Sequence, residues 1–281
     1  MAAEAAPPDA IGPTTPMAPG PLLTLEAGAL SVDIAPQAGG RIAQIRVDGV
    51  EQLVGHGEHG SEAAIAWGSY PMVPWCGRIR DGRFRFDGAD YQLPRNLGNH
   101  AIHGVGYLMP WQVLEQGPAH VVLGLELPVD SRWPFGGRAR QRIELQGRSL
   151  LQALELSAGD HAMPFSLGWH PWFRKPERLE FAPQAIYARD ADDMATLPPQ
   201  PVPPGPWDDC FVNHSPVGLA RGGQRLTVHA PQCSDWVVYD QTPHATCVEP
   251  QTAMPDVFNL APAQRLEPGQ SARVHCRTEW D

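Results

Sequence analysis

Proline and glycine punctuate this chain so densely, 31 and 28 of 281 residues, that long helices have little room. An interior proline removes a helical hydrogen bond and clashes with the preceding turn, at a cost of about 3 kcal/mol. Between these interruptions apolar and polar residues alternate, the period of a half-buried strand. Segments 22–34, 41–47, 120–129, 140–156, 224–229, 236–239 and 272–279 all read this way. Arg83 to Leu93 reads as two short strands around Asp87-Gly88, a hairpin turn signal. Gln146-Gly147 divides 140–156 into a second hairpin. Many short strands with turn signals between them predict an all-β fold, a sandwich or barrel. The sequence carries no fixed-period repeat of the kind that builds propellers and solenoids. Proline-rich stretches 176–187 and 197–207 read as long surface loops, segments that often carry function. Residues 1–20, rich in Ala, Pro and Gly, read as a disordered leader, and 21–281 as one domain.

Charge and apolar content then narrow the partners. The formal net charge is −10, so nucleic acid and anionic lipid are not expected to bind. No run of about 18 apolar residues predicts a membrane span. The N-terminus has neither a basic start nor an apolar segment of the secretory kind, and a cytoplasmic protein is expected. The five cysteines, Cys76, Cys210, Cys233, Cys247 and Cys276, are widely spaced and form no CxxC pair. They read as buried free thiols rather than as a disulfide framework or zinc site.

Four clusters place polar side chains among aromatic, proline and glycine residues. Arg78 follows a glycine within the segment Tyr70–Arg80 and either offers its guanidinium fork to a ligand or staples loop carbonyls. His100 and His103 lie in Asn99-His-Ala-Ile-His-Gly104, where no nearby Cys or acid completes a metal set. A hydrogen-bonded loop is the plainer account of that pair. His170 sits in Leu167-Gly-Trp-His-Pro-Trp-Phe173, a stiff aromatic setting that suits either a core histidine or a catalytic one. Glu249, in Thr246-Cys-Val-Glu-Pro-Gln-Thr252, follows an apolar strand, and apolar surroundings raise a carboxyl pKa toward values useful to a general base. It could equally be a solvated strand end. Asp208-Asp-Cys-Phe211 adds two acids at the end of a loop.

Taken together and in this order, the segments GGRIAQI at 39–45, PWCGRIRDGRF at 74–84, NHAIHG at 99–104, GWHPWF at 168–173, DDCF at 208–211 and VEPQT at 248–252 resemble the aldose 1-epimerase (galactose mutarotase) family. The resemblance runs from about Gly39 to the C-terminus. It implies a large antiparallel β-sandwich that interconverts the anomers of a free aldose without metal or cofactor. Glu249 would be the base and His170 the acid. Arg78, His103 and Asp208 would bind the sugar, with Asp209 competing for the role of Asp208, and Trp67, Trp75 or Trp172 could stack on it. Imidazolium and carboxylate would coexist at the start of the reaction, each stabilising the other. Assembly as monomer or homodimer is left open. Gly77 stands where many members have Asn, Trp172 where galactose-acting members tend to have Tyr, and Val105 where a second Gly is common, so the sugar too stays open. The alternatives are a carbohydrate-binding protein without activity, a mutarotase for phosphorylated or sulfonated hexoses, and a polysaccharide lyase or hydrolase using Asp208 with Glu249.

Overall fold

Strand alternation has its clearest structural counterpart in the hairpin of Arg138–Gln146 and Ser149–Ser157. Ala139, Gln141, Ile143 and Leu145 point inward from the first strand, while the arginines between them face out. Each fully buried Ile or Leu of this kind stabilises the fold by roughly 1.5–3 kcal/mol relative to exposure. The expected turn at Asp87-Gly88 joins Arg83–Phe86 to Ala89–Gln92, with φ of 49° and 78° at its central residues. Positive φ at both positions matches the twist of the flanking strands, and glycine carries it without a Cβ penalty.

The computed structural model describes residues 11–281. Its strands form two large antiparallel sheets. The ten-stranded sheet runs Leu23–Ala27, Leu30–Ala35, Arg41–Val47, Ser69–Met72, Gly168–Arg174, Ala245–Gln251, Asp235–Tyr239, Asp208–Val212 and Ala185–Tyr187, with Val50–Glu51 paired beside Arg41–Val47. An eight-stranded sheet runs Gln112–Gln116, His120–Glu126, Arg138–Gln146, Ser149–Ser157, Ser271–Trp280, Gln224–His229, Val217–Arg221 and Arg178–Glu180. One apolar core draws on the inner faces of both, from Val32, Ile34 and Trp169 of the first to Ile143, Leu154 and Val274 of the second. The protein is an all-β sandwich, as the sequence predicts, and the one α-helix among the described residues is the single turn Val257–Leu260. No helix there is long and apolar enough to cross a membrane. All five cysteines are buried and unpaired.

Two expectations are corrected. Of the expected leader, residues 1–10 lie outside the described residues, but 11–20 pack onto the body. Met17 is buried, its N–H donates to the Glu62 carbonyl at 2.9 Å, and its sulfur receives Arg41 Nη2 at 3.4 Å. Anchored apolar burial outweighs the disorder that Ala-Pro-Gly composition favours. The stretch 176–187 is not a loop throughout, because it holds the strands Arg178–Glu180 and Ala185–Tyr187. Each is three residues long and extends a sheet through pairing with a distant strand. The second proline-rich stretch, 197–207, has no strand.

Candidate active site

Chain alternation decides which residues of the central strands look away from the core. In Gly168–Arg174, Trp169 and Phe173 join the intersheet core, while His170 and Trp172 face the other way. In Ala245–Gln251, Val248 enters the core and Cys247 and Glu249 face outward. The two strands pair with Gly168 opposite Gln251 and Trp172 opposite Cys247, which sets His170 across from Glu249. Gly168 permits this closeness, since a Cβ there would lie 2.4 Å from the Pro250 carbonyl oxygen.

On this face lies a cavity of about 360 Å³. His170 and Glu249 form its floor, Nε2 to Oε1 at 3.1 Å, and both are nearly inaccessible. The imidazole stacks on Tyr70 at 4.7 Å and on Trp172 at 5.5 Å between ring centres, with His103 edge-on at 5.1 Å. Glu249 Oε2 accepts from the Gln251 amide at 3.3 Å. Burial raises the Glu249 carboxyl well above its ordinary range, with Asp208 adding to the effect and Arg78 opposing it. Burial lowers His170 to about 3, and the buried Arg41 guanidinium pushes the same way. Burial thus favours neutral imidazole beside protonated carboxyl over the expected imidazolium–carboxylate pair.

His103 has φ of 59°, and its N–H donates to the Gly77 carbonyl at 3.0 Å. In return the Gly77 N–H donates to His103 Nδ1 at 3.2 Å. A neutral ring held this way carries its proton on Nε2, the nitrogen left to act as a donor. Burial lowers the His103 pKa well below the ordinary value, and His170 and Arg78 add to this. One ligand atom each of His103, His170 and Glu249 lies within 4.8 Å of the others, close enough to suggest a metal. The tautomer argues against it, because a metal-bound histidine donates its second ring N–H, whereas His103 Nδ1 accepts. Gly77 has φ of 65°, and a Cβ there would come within 2.7 Å of Pro255. An Asn side chain does not fit at this position without moving Pro255.

All five residues expected at a site line this one cavity: Arg78, His103, His170, Asp208 and Glu249. Asp209 alternates with Asp208 along Asp208–Val212 and does not line it. Of the tryptophans, Trp172 lines the cavity, whereas Trp67 and Trp75 are buried outside it. His100 is a structural link, its Nδ1 accepting from the Asp81 N–H and its Nε2 lying 3.2 Å from the Asp192 carbonyl oxygen. Of the arginines at 78, 80, 83 and 85, only Arg78 reaches the cavity. Arg80 pairs with Asp190 and Asp192, Arg83 with Gln92, and Arg85 with Asp90. Sequence reading missed Tyr187, Arg189, Asp193, Tyr239 and Gln241 on the wall. Tyr187 flanks the buried Ile186, an alternation that was available inside the stretch read as loop.

Fold and site together define an antiparallel β-sandwich that seats a buried histidine–carboxylate pair at the floor of a sugar-sized pocket. Comparison with known proteins gives the family. The model of the aldose 1-epimerase family matches residues 21–279. The uncharacterized protein YphB of Escherichia coli K12 is 27% identical over 240 residues, covering 80% of this chain and 79% of its own. A putative aldose 1-epimerase of E. coli K12 superposes with a TM-score of 0.81 at 22% identity, covering 93% of this chain and 99% of that one. Galactose 1-epimerase from Lactobacillus acidophilus NCFM superposes with a TM-score of 0.79 at 18% identity, covering 92% and 94%. The chain belongs to the aldose 1-epimerase family, and its fold is galactose mutarotase-like.

Proposed function

We propose that this protein is a mutarotase that interconverts the α and β anomers of a free aldose by opening and reclosing the sugar ring. The observation that carries the reading is the 3.1 Å contact between His170 Nε2 and Glu249 Oε1 at the pocket floor. One proton moved across that contact turns the neutral pair into carboxylate and imidazolium. Arg78 and Gln251 favour the carboxylate. Glu249 then removes the proton of the anomeric hydroxyl while His170 protonates the ring oxygen, and the C1–O5 bond breaks to give the open-chain aldehyde. Rotation about C1–C2 presents the other carbonyl face. Reclosure returns both protons, so the pair ends as it began and no electrons change hands. Positioned acid and base groups each contribute typically 10²–10⁴-fold in rate.

His103 supplies an Nε2–H to a ring or hydroxyl oxygen, and Arg78 and Asp208 bind hydroxyls. Trp172 offers the apolar face for stacking. Five unpaired cysteines suit a reducing compartment, and a cytoplasmic setting is part of the same proposal. The test is polarimetry or NMR of freshly dissolved α-glucose, α-galactose and a panel of further aldoses. Catalytic amounts of protein should speed anomer exchange for at least one of them. Saturable sugar binding with no acceleration of any would leave a binding protein and end the mutarotase reading.

A further inference from the structure

We infer that Arg189 is a second positioning residue of this pocket: it holds Asp208 for the sugar and, with Asp193, sets which hydroxyl pattern is accepted. The inference rests on the mutarotase reading. Arg189 lines the cavity, and its Nη2 lies 2.8 Å from Asp208 Oδ1. Its Nη1 lies 3.8 Å from Asp193 Oδ1, and its Nε 3.7 Å from Asp209 Oδ1. The guanidinium thus ties together three carboxylates, two of them on the cavity wall. A carboxylate held through Oδ1 keeps Oδ2 available to accept from a sugar hydroxyl, in an orientation set in advance.

The segment carrying Arg189 is closed by its own hydrogen bonds. The Asp190 N–H donates to the Met194 carbonyl at 2.9 Å and the Thr196 N–H to the Ala188 carbonyl at 2.9 Å, closing the loop on itself over the buried Met194. Arg80, two residues beyond Arg78, pairs with Asp190 and with Asp192 at 3.1 Å. The wall that presents Arg189 is therefore pinned to the wall that presents Arg78. A partly exposed ion pair adds little to stability, so this arrangement is better explained by orientation than by folding. Two like-charged guanidiniums, Arg78 and Arg189, share one cavity because Asp208 and Asp193 lie with them.

The experiment compares wild type with Arg189→Met, Arg189→Lys and Asp193→Asn. It measures kcat and KM for mutarotation of glucose and galactose, thermal midpoints, and binding of methyl α-D-glucopyranoside and methyl α-D-galactopyranoside, whose rings cannot open because the anomeric hydroxyl is blocked. Arg189→Met should raise KM about tenfold or more with kcat within about threefold, because uniform binding is lost and the acid–base pair is kept. Arg189→Lys should recover part of the loss, and Asp193→Asn should change the ratio between the two sugars. A KM within about twofold of wild type in Arg189→Met, or a lowered thermal midpoint as its only change, would overturn the inference. Should Arg189→Met not fold, the Lys and Asn variants decide by the same readouts. If wild type binds glycosides but accelerates no aldose, the mutarotase reading falls, and glycoside affinity alone judges Arg189.

Discussion

At the floor of the cavity, burial sets the protonation of two groups that water would charge in opposite senses. Glu249 holds its proton above the ordinary carboxyl range and His170 stays neutral down to about 3. Between those limits the pair carries one proton, which is what the proposed reaction uses. Acidification adds a second proton, on His170, and alkali removes the last one, from Glu249. The rate should therefore not fall through the ordinary imidazole range on the acid side, and should fall on the alkaline side as Glu249 loses its proton. A pH–kcat/KM profile with an acid limb centred near 6.5 would show an imidazole titrating as it does in water, contrary to this account. Glu249→Gln and His170→Asn should each lower kcat by at least about 10², the smaller end of an acid–base contribution. Either variant with near wild-type turnover on a good substrate would remove that residue from the chemistry.

Pairs of residues two apart on neighbouring strands build the site at the next scale up. The sequence marked the clusters around His170 and Glu249 but not the strands Gly168–Arg174 and Ala245–Gln251 on which His170 alternates with Trp169 and Glu249 with Val248. Nor was their pairing readable, because a register between strands so far apart along the chain leaves no local trace. Gly168 shows how close the two strands come. Gly168→Ala would bring a Cβ to 2.4 Å from the Pro250 carbonyl oxygen. Such overpacking should cost roughly 1–3 kcal/mol in a denaturant titration and lower kcat as the His170–Glu249 contact opens. An unchanged midpoint would mean that the strands can separate freely. The strands Arg178–Glu180 and Ala185–Tyr187 escaped the sequence reading for a related reason. Three residues hold barely one period of alternation, and pairing with a sheet edge makes them strands. Tyr187 and Arg189 were lost from the expected site with them.

For the whole molecule, two sheets pack around one apolar core and the N-terminal segment is tied to the body. Met17 is 4% exposed and touches the Arg41 guanidinium, itself fully buried and hydrogen-bonded to the carbonyls of Ala38, Trp67 and Tyr107. Met17→Ala should lower the unfolding free energy by about 2 kcal/mol or more, read from thermal or urea melts. A value within error of zero would return residues 11–20 to the status of a dispensable leader. Sequence alone determined the all-β class, most of the long strands and both hairpin turns, because alternation and turn chemistry are local. It also marked five residues that converge, through clusters of unusual neighbours and a family resemblance. Tertiary structure decided the rest: the burial that disfavours the charged forms of His170 and Glu249, the placement of Asp208 rather than Asp209 on the cavity wall, the Gly77 amide that sets the His103 tautomer, and the wall bearing Arg189. Each depends on segments distant in the chain meeting in space, and desolvation and hydrogen bonding act only after they meet.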